Sequence, residues 1–274
     1  MTNNQKIDEE ALAEAYNRAL SLEKAGDIDA AVKAYEEVLA IDPEDHGGAA
    51  VRIASMGRGE TPPKAPDAYV ETLFDQQAEA FEDILVDQLG YAVPMVVRQR
   101  LQTLELGPFK RMLDLGCGTG LTGEALRDMA TDITGMDLSE NMVEIAHEKD
   151  IYETLYVAEV EDFLEDNDDD AFDLITATDV LPYLGALEPI FFGAAENMVE
   201  GGFFVFSSET LPSETMAGRP YMVGPHQRFA HSETYIRERL AATGFDIVEV
   251  TDINVRMQDG HPTPGHLVIA KYKG

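Results

Sequence analysis

The run Met112-Leu113-Asp114-Leu115-Gly116-Cys117-Gly118-Thr119-Gly120, with an acid on schedule at Asp137, constrains this chain more than any other stretch. An apolar strand ends in an acidic residue, three glycines alternate along a tight turn, and a helix, 121–129, leaves the turn. Glycine lacks a Cβ, so the backbone there can take positive φ and lie against a ligand. The helix N-terminus aims unpaired N–H groups and a partial positive charge into the same space. A second strand, 132–136, ends in Asp137, an acid placed to accept hydrogen bonds from both hydroxyls of a ribose. Strand, glycine turn, helix, strand and acid form half of a nucleoside-binding α/β unit.

The spelling narrows the ligand. Gly-Cys-Gly-Thr-Gly is neither the G-x-G-x-x-G of dinucleotide sites nor a P-loop. Asp114, just before the turn, would repel a pyrophosphate but pairs well with an ammonium group. A ligand with an amino-acid end and a ribose end satisfies both acids, and S-adenosylmethionine is such a ligand. On these residues the chain resembles the class I S-adenosylmethionine-dependent methyltransferases, whose first motif is D/E-x-G-x-G-x-G and whose next strand ends in an acid. The resemblance spans about residues 68–272.

That resemblance implies an α/β fold: a seven-stranded, doubly wound, Rossmann-like sheet of order 3-2-1-4-5-7-6, with strand seven antiparallel. It implies S-adenosylmethionine as cofactor, its methionine portion on the backbone of Gly116, Cys117, Gly118 and Gly120 and its ammonium near Asp114. Asp137 would take the ribose, with Leu138 on the adenine, Glu159 on its amino group and the Val160 N–H on its ring. Met142 and Thr178 complete that set. Helices before the first strand would form a lid, with Tyr69, Phe74 and Phe81 facing the sulfonium, since an aromatic face attracts a cation.

The spacing predicts the later strands at 154–158, 172–177, 203–207, 246–250 and 266–272, with helices at 142–147, 187–198 and 232–242. Such sheets bind ligands beyond the carboxyl ends of their strands. After the fourth strand comes Asp179, a candidate general base or an anchor for the methionine amine, then Tyr183 on the acceptor side. Glu209 ends the fifth strand. The insertion 211–231 carries Tyr221, His226, Arg228 and His231, unusual in so acidic a chain. Tyr183, Glu209, Tyr221 and Arg228 are candidate acceptor contacts. His226 or His231 titrates near neutrality and suits proton removal from a hydroxyl.

Residues 8–45 read as a helical hairpin broken at Gly26-Asp27. Gly26, Ala31, Tyr35, Leu39 and Pro43 match the spacing of a tetratricopeptide repeat, which the hairpin resembles. One such unit cannot bury its own apolar face, so it docks on the catalytic part or on another chain. The division expected is 1–56 helical, 57–67 a Pro/Gly-rich linker, and 68–274 methyltransferase.

Charge and cysteine usage set the exclusions. With 20 basic against 52 acidic residues, net charge −32, a polyanion would be repelled, so nucleic acid is not an expected partner. No apolar run approaches the ~20 residues of a membrane span, and 1–10 lacks a secretion pattern, so a cytoplasmic protein is expected. Cys117 is the only cysteine. No His pair has helical metal spacing, and the acidic run 165–170 is unlike a calcium loop. The function expected is methylation of a small molecule at oxygen, nitrogen or sulfur. Two alternatives remain: a protein methyltransferase whose hairpin holds its target, or a non-catalytic cofactor binder.

Overall fold

The computed structural model describes residues 8–168 and 170–274. The start of the N-terminal segment, 1–7, and Asp169 of the acidic run lie outside the described residues.

Helices α1 (Glu9–Lys24) and α2 (Ile28–Ile41) form the expected hairpin. Carboxylates of Asp8 and Asp27 accept from the backbone N–H groups of Ala11 and Ala30, satisfying donors that each first turn leaves free. Ala15 and Ala19 of α1 pack against Tyr35 and Val38 of α2. Small residues opposite a large ring let the helices approach closely. A third helix, α3 (Ala49–Ser55), turns its other side outward: Val51 and Ala54 join Ala65, Val223 and Phe229 in one apolar cluster. The hairpin therefore docks on the rest of this chain.

The segment 57–67 is not a free tether. The N–H of Ala65 donates to Tyr183 O at 2.8 Å, and those of Gly185 and Ala186 donate to Pro63 O at 2.7 Å. The expected helix over 68–89 breaks into α4 (Asp67–Gln77), a 3₁₀ turn (Ala78–Ala80) and a π-helical stretch (Asp83–Gln88), before α5 (Val93–Thr103).

The αβ alternation then runs as β1 (Phe109–Leu115), α6 (Leu121–Leu126), β2 (Ala130–Asp137), α7 (Glu140–Glu148), β3 (Thr154–Val157), α8 (Val160–Asp166), β4 (Phe172–Ala177), α9 (Glu188–Glu196) and β5 (Met198–Glu209). The insertion supplies α10 (Ser213–Met216) and a hairpin that sequence periodicity did not predict, β6 (Tyr221–Val223) with β7 (Phe229–His231). Next come α11 (Glu233–Ala242), β8 (Phe245–Gln258) and β9 (His261–Tyr272). The last two strands are much longer than expected, because their outer halves pair only with each other.

Setting the short hairpin aside, the order is β3-β2-β1-β4-β5-β9-β8. Counted over the seven long strands this is 3-2-1-4-5-7-6, with the seventh antiparallel to β5, as expected. Side chains alternate across the sheet: Leu113, Leu115, Phe204 and Phe206 face the helices α8, α9 and α11, while Met112 and Val205 face α5 and α6. Each such fully buried side chain contributes roughly 1.5–3 kcal/mol. β7 pairs with β5 only at its end, Glu209 with Ala230, so the small hairpin lies beside the ligand-binding rim. Among the described residues no helix is long and apolar enough to cross a membrane.

Candidate active site

The carboxyl ends of β1, β2, β3 and β4 open into a crevice of about 930 Å3, its mouth included. Its floor is the turn after β1, where Gly116, Gly118 and Gly120 have φ of +60°, +53° and +92°. A Cβ on Gly116 would stand 2.5 Å from the Val180 side chain. One on Gly118 would meet only the Phe81 ring, at 3.8 Å, so its bare α-carbon faces open crevice. The turn gives shape more than donors. The N–H of Cys117 is spent on Met136 O, that of Gly120 on Cys117 O, and that of Gly118 on Asp137. The expected cradle of backbone donors is therefore largely consumed inside the turn.

Asp137 lies at the end of β2 and lines the crevice. Its Oδ2 accepts from Gly118 N–H at 2.8 Å and its Oδ1 from Ser139 N–H at 2.9 Å. Each oxygen keeps a lone pair for a ligand hydroxyl. Burial pushes its carboxyl above the usual range, opposed by those backbone donors. Leu138, Glu159 and Val160 line the same side. Glu159 is also the N-cap of α8, accepting from the N–H groups of Glu161 and Asp162, and its Oε1 lies 3.3 Å from Lys64 Nζ. Burial pushes the Cys117 thiol up, leaving a crevice thiol that stays protonated.

The roof comes from the helices before β1. Phe74 and Phe81 meet edge to face at 6.0 Å, and Phe74 meets Tyr183 at 5.3 Å. Polar latches tie this roof to three strand ends. Thr119 donates to Glu82 at 2.7 Å after β1; Ser139 donates to Asp75 at 2.5 Å after β2; Lys64 meets Glu159 after β3. Lys149, 2.6 Å from Glu82, and the Thr119 hydroxyl draw the Glu82 carboxyl down, although burial works against them.

On the β4 side, Thr178 and Asp179 line the crevice with Tyr91 and Tyr183. Thr178 shares a 2.7 Å hydrogen bond with Thr122. Asp179 has φ +63°, and both its oxygens accept from Nη1 of Arg256, at 2.8 and 2.6 Å. The other end of Arg256 donates to Glu209, which lies 3.0 Å from Arg228.

Several expected site residues stand elsewhere. Asp114 does not line the crevice: it is wholly buried, accepting from Tyr152 OH at 2.8 Å and Thr176 Oγ1 at 2.7 Å. Burial pushes its carboxyl up to about 6. Met142 is buried inside α7 behind its Ser139 cap. Tyr69 packs on Gly48, between the N-terminal helices and the roof.

Neither histidine reaches the crevice. His226 is exposed, 3.9 Å from Asp259. His231 is fully buried, and its Nε2–H faces Leu184 O at 2.9 Å and Gly185 O at 3.2 Å. Burial drives its pKa down to about 4, which suits a neutral strut and not a base near neutrality. Tyr221 packs among Phe229, His231 and Tyr235. Arg228 and Glu209 lie behind Asp179, joined to it through Arg256.

Sequence reading missed Tyr91, Lys64, Ala65, Asp67 and Arg256. The signal for Tyr91 was weak, an aromatic after Gly90 at a helix break. Lys64 and Ala65 sat in a proline-rich stretch that looks like a tether. Arg256 lies 77 residues from its partner, beyond any local pattern. Among the described residues no group of three or more His, Cys, Asp or Glu side chains gathers as a metal ion requires.

Fold and crevice together define an open α/β sheet with a nucleoside-shaped site at its switch point. A family model described as a methyltransferase domain matches residues 89–250, more than half of the chain. The chain belongs to this family, the class I S-adenosylmethionine-dependent methyltransferases. Curated relatives include the ubiquinone biosynthesis O-methyltransferases of Alkalilimnicola ehrlichii (29% identical, covering 52% of this chain and 56% of that protein) and Idiomarina loihiensis (29%, 50% and 63%). The chain thus spans only somewhat over half the length of these two relatives. Among solved structures, the [4+2]-cyclase SpnF matches with TM-score 0.61 at 16% identity, over 78% of this chain and 99% of that one. A methyltransferase from Clostridium acetobutylicum matches with TM-score 0.54 at 18% identity, over 73% and 99%. At such identities these likenesses concern the fold, and a cyclase among them is a reminder that the fold alone does not fix the reaction.

Proposed function

We propose that this chain transfers a methyl group from S-adenosylmethionine to a small molecule held in the crevice. The observation that carries the reading is Asp137, bonded to the bare Gly118 backbone on the floor of a crevice roofed by Phe74 and Phe81. The residues present fit the cofactor. Gly118 leaves room where any other residue would intrude, and Asp137 keeps lone pairs for a ribose. When bound, the cofactor supplies a methyl group already activated by the sulfonium charge.

The chain's own part is positioning and water exclusion. Asp137 orients the ribose, Leu138 and Val160 flank the base, and Phe74 and Phe81 close over the sulfonium. Asp179, with both oxygens bonded to the Arg256 guanidinium, serves to position the ligand. With both histidines outside the crevice, an acceptor of low proton affinity suits this site, such as a phenol or enol oxygen. The O-methyltransferase names of the curated relatives support oxygen as the acceptor atom. The N-terminal segment is read as a tetratricopeptide-like unit used for docking on 211–231, which favours a small-molecule acceptor over a protein target. The excess of 52 acidic over 20 basic residues disfavours a nucleic-acid partner, and a cytoplasmic setting is part of the reading.

The test is to incubate the protein with S-adenosylmethionine and panels of phenols, amines and thiols, measuring S-adenosylhomocysteine by mass spectrometry. Product above background with a phenolic panel supports the reading. Turnover with amines or thiols alone contradicts the oxygen assignment, and no turnover together with no cofactor binding contradicts the whole reading.

A further inference from the structure

Strand β8 loses its register against β9 between Asn254 and Met257. Pro262 and Pro264 stand opposite the break and offer no N–H to the ladder. A bulge of this kind bends a strand and re-aims its side chains. Here it turns two successive residues inward, Val255 at 1% and Arg256 at 2% exposure, where alternation allows only one. Met257 N–H then donates to Leu89 O at 2.7 Å, fixing the bulge against the lid. The outcome is a guanidinium beneath the crevice wall, holding Asp179 on one side and Glu209 on the other.

Of the two carboxylates expected to grip opposite ends of the ligand, Asp114 is walled off by Tyr152 and Thr176. Asp179 is the carboxylate lining the crevice at the end of β4, across the glycine turn from Asp137. We infer that Arg256, turned inward by the bulge, is the positioning residue that sets Asp179, of its two candidate roles, as the anchor for the cofactor's cationic amino-acid end. This deepens the proposed function and rests on it. Both Asp179 oxygens accept from one nitrogen of Arg256, which fixes the carboxylate plane and leaves a lone pair on each oxygen for an ammonium. The paired charge of Arg256 keeps two neighbouring acids, Asp179 and Glu209, from repelling one another. The same guanidinium, with Glu209 and Arg228 beyond it, couples the ligand's amino-acid end to the β6–β7 hairpin.

The experiment compares two ligands by calorimetry on the full chain: S-adenosylhomocysteine, and methylthioadenosine, which has the same nucleoside but no amino-acid end. Arg256→Lys keeps the charge and loses the fork. It is expected to weaken S-adenosylhomocysteine about tenfold, the worth of one charge-assisted hydrogen bond, while methylthioadenosine changes less than about twofold. Arg100→Lys disturbs a different arginine–carboxylate pair, Arg100 with Glu249 of the same strand, which shares no partner with Arg256 and does not line the crevice, and is expected to leave both affinities within about twofold. Asp179→Asn should reproduce the selective loss. Equal losses for both ligands in Arg256→Lys, or no loss, overturn the inference. So does an equal selective loss in Arg100→Lys. If the unsubstituted protein binds neither ligand, the cofactor reading falls and this inference falls with it. If it binds both and the variants do not discriminate, only this inference falls.

Discussion

Asp137 Oδ2 accepts the backbone N–H of Gly118 at 2.8 Å, so one carboxylate joins the end of β2 to the turn after β1. A side chain expected to face the ligand also sets the shape of the ligand's floor. Replacing it with alanine strands two N–H donors, that of half-buried Gly118 and that of buried Ser139. Asp137→Ala should cost about 1–3 kcal/mol of stability and at least tenfold in S-adenosylhomocysteine affinity. Thermal melting and calorimetry on the same preparation check both. Unchanged affinity would contradict the ribose assignment.

The three glycines of the turn are not equivalent. Gly116→Ala sets a Cβ 2.5 Å from Val180 at φ +60°, so it should lower the melting temperature and weaken binding together. Gly118→Ala points its methyl into open crevice, so its stability cost is limited to the left-handed backbone, about 1–2 kcal/mol. Its binding loss should be the larger of its two effects. A Gly118→Ala protein that melts lower yet binds the nucleoside normally would mean the ligand does not lie on this turn.

His231 gives the fold a pH dependence that can be isolated. Its pKa is pushed from 6.5 to about 4 by burial, so the unfolded chain takes up this proton across that window while the folded chain does not. The stability it contributes is complete above pH 6.5 and is lost as the pH falls toward 4, by roughly 3 kcal/mol in all. Asp114 works in the opposite sense. Its folded pKa, near 6, stands above the ordinary 3.8, so its contribution is present below 3.8 and lost as the pH rises through 6. The two oppose one another between pH 4 and 6, so a raw stability profile would hide both. His231→Gln keeps an N–H donor for Leu184 O and removes the titration. The stability gap between wild type and this variant should shrink as pH falls from 7 to 4.5. A constant gap in denaturant melts would contradict the neutral-strut role.

The strands, the glycine turn and the acid that ends β2 were legible because each follows from local signals: apolar runs, three glycines, one acid on schedule. The strand order came from the family resemblance and not from periodicity. Residues set by long-range packing were not legible. Asp114 carries the family's motif letter, yet Tyr152 and Thr176 close around it from two other elements. His226 and His231 looked catalytic because they cluster in sequence. The β6–β7 hairpin places one in solvent and the other in the core, since His226 sits in its exposed turn and His231 ends β7 inside the fold. Arg256 was hidden for the converse reason, because a bulge reversed its facing against the strand's alternation.

Because α3 shares an apolar cluster with Ala65, Val223 and Phe229, the N-terminal helices cannot be removed without cost. Deleting residues 1–56 uncovers Phe229 and Tyr69, side chains worth roughly 1.5–3 kcal/mol each when fully buried. The truncated protein should melt several degrees lower and self-associate in size-exclusion chromatography. Its nucleoside site should be weakened, because the strap carrying Lys64 and Ala65 loses its anchor. A truncated protein that is monomeric, with unchanged melting and affinity, would show the hairpin to be an independent module.

The central claim, that the crevice over Gly118 and Asp137 holds S-adenosylmethionine, is tested most directly by calorimetric titration of S-adenosylhomocysteine into the 274-residue chain. One site per chain is expected, with no comparable heat from a phosphate-rich dinucleotide. An absence of binding, or preference for the dinucleotide, would contradict the claim.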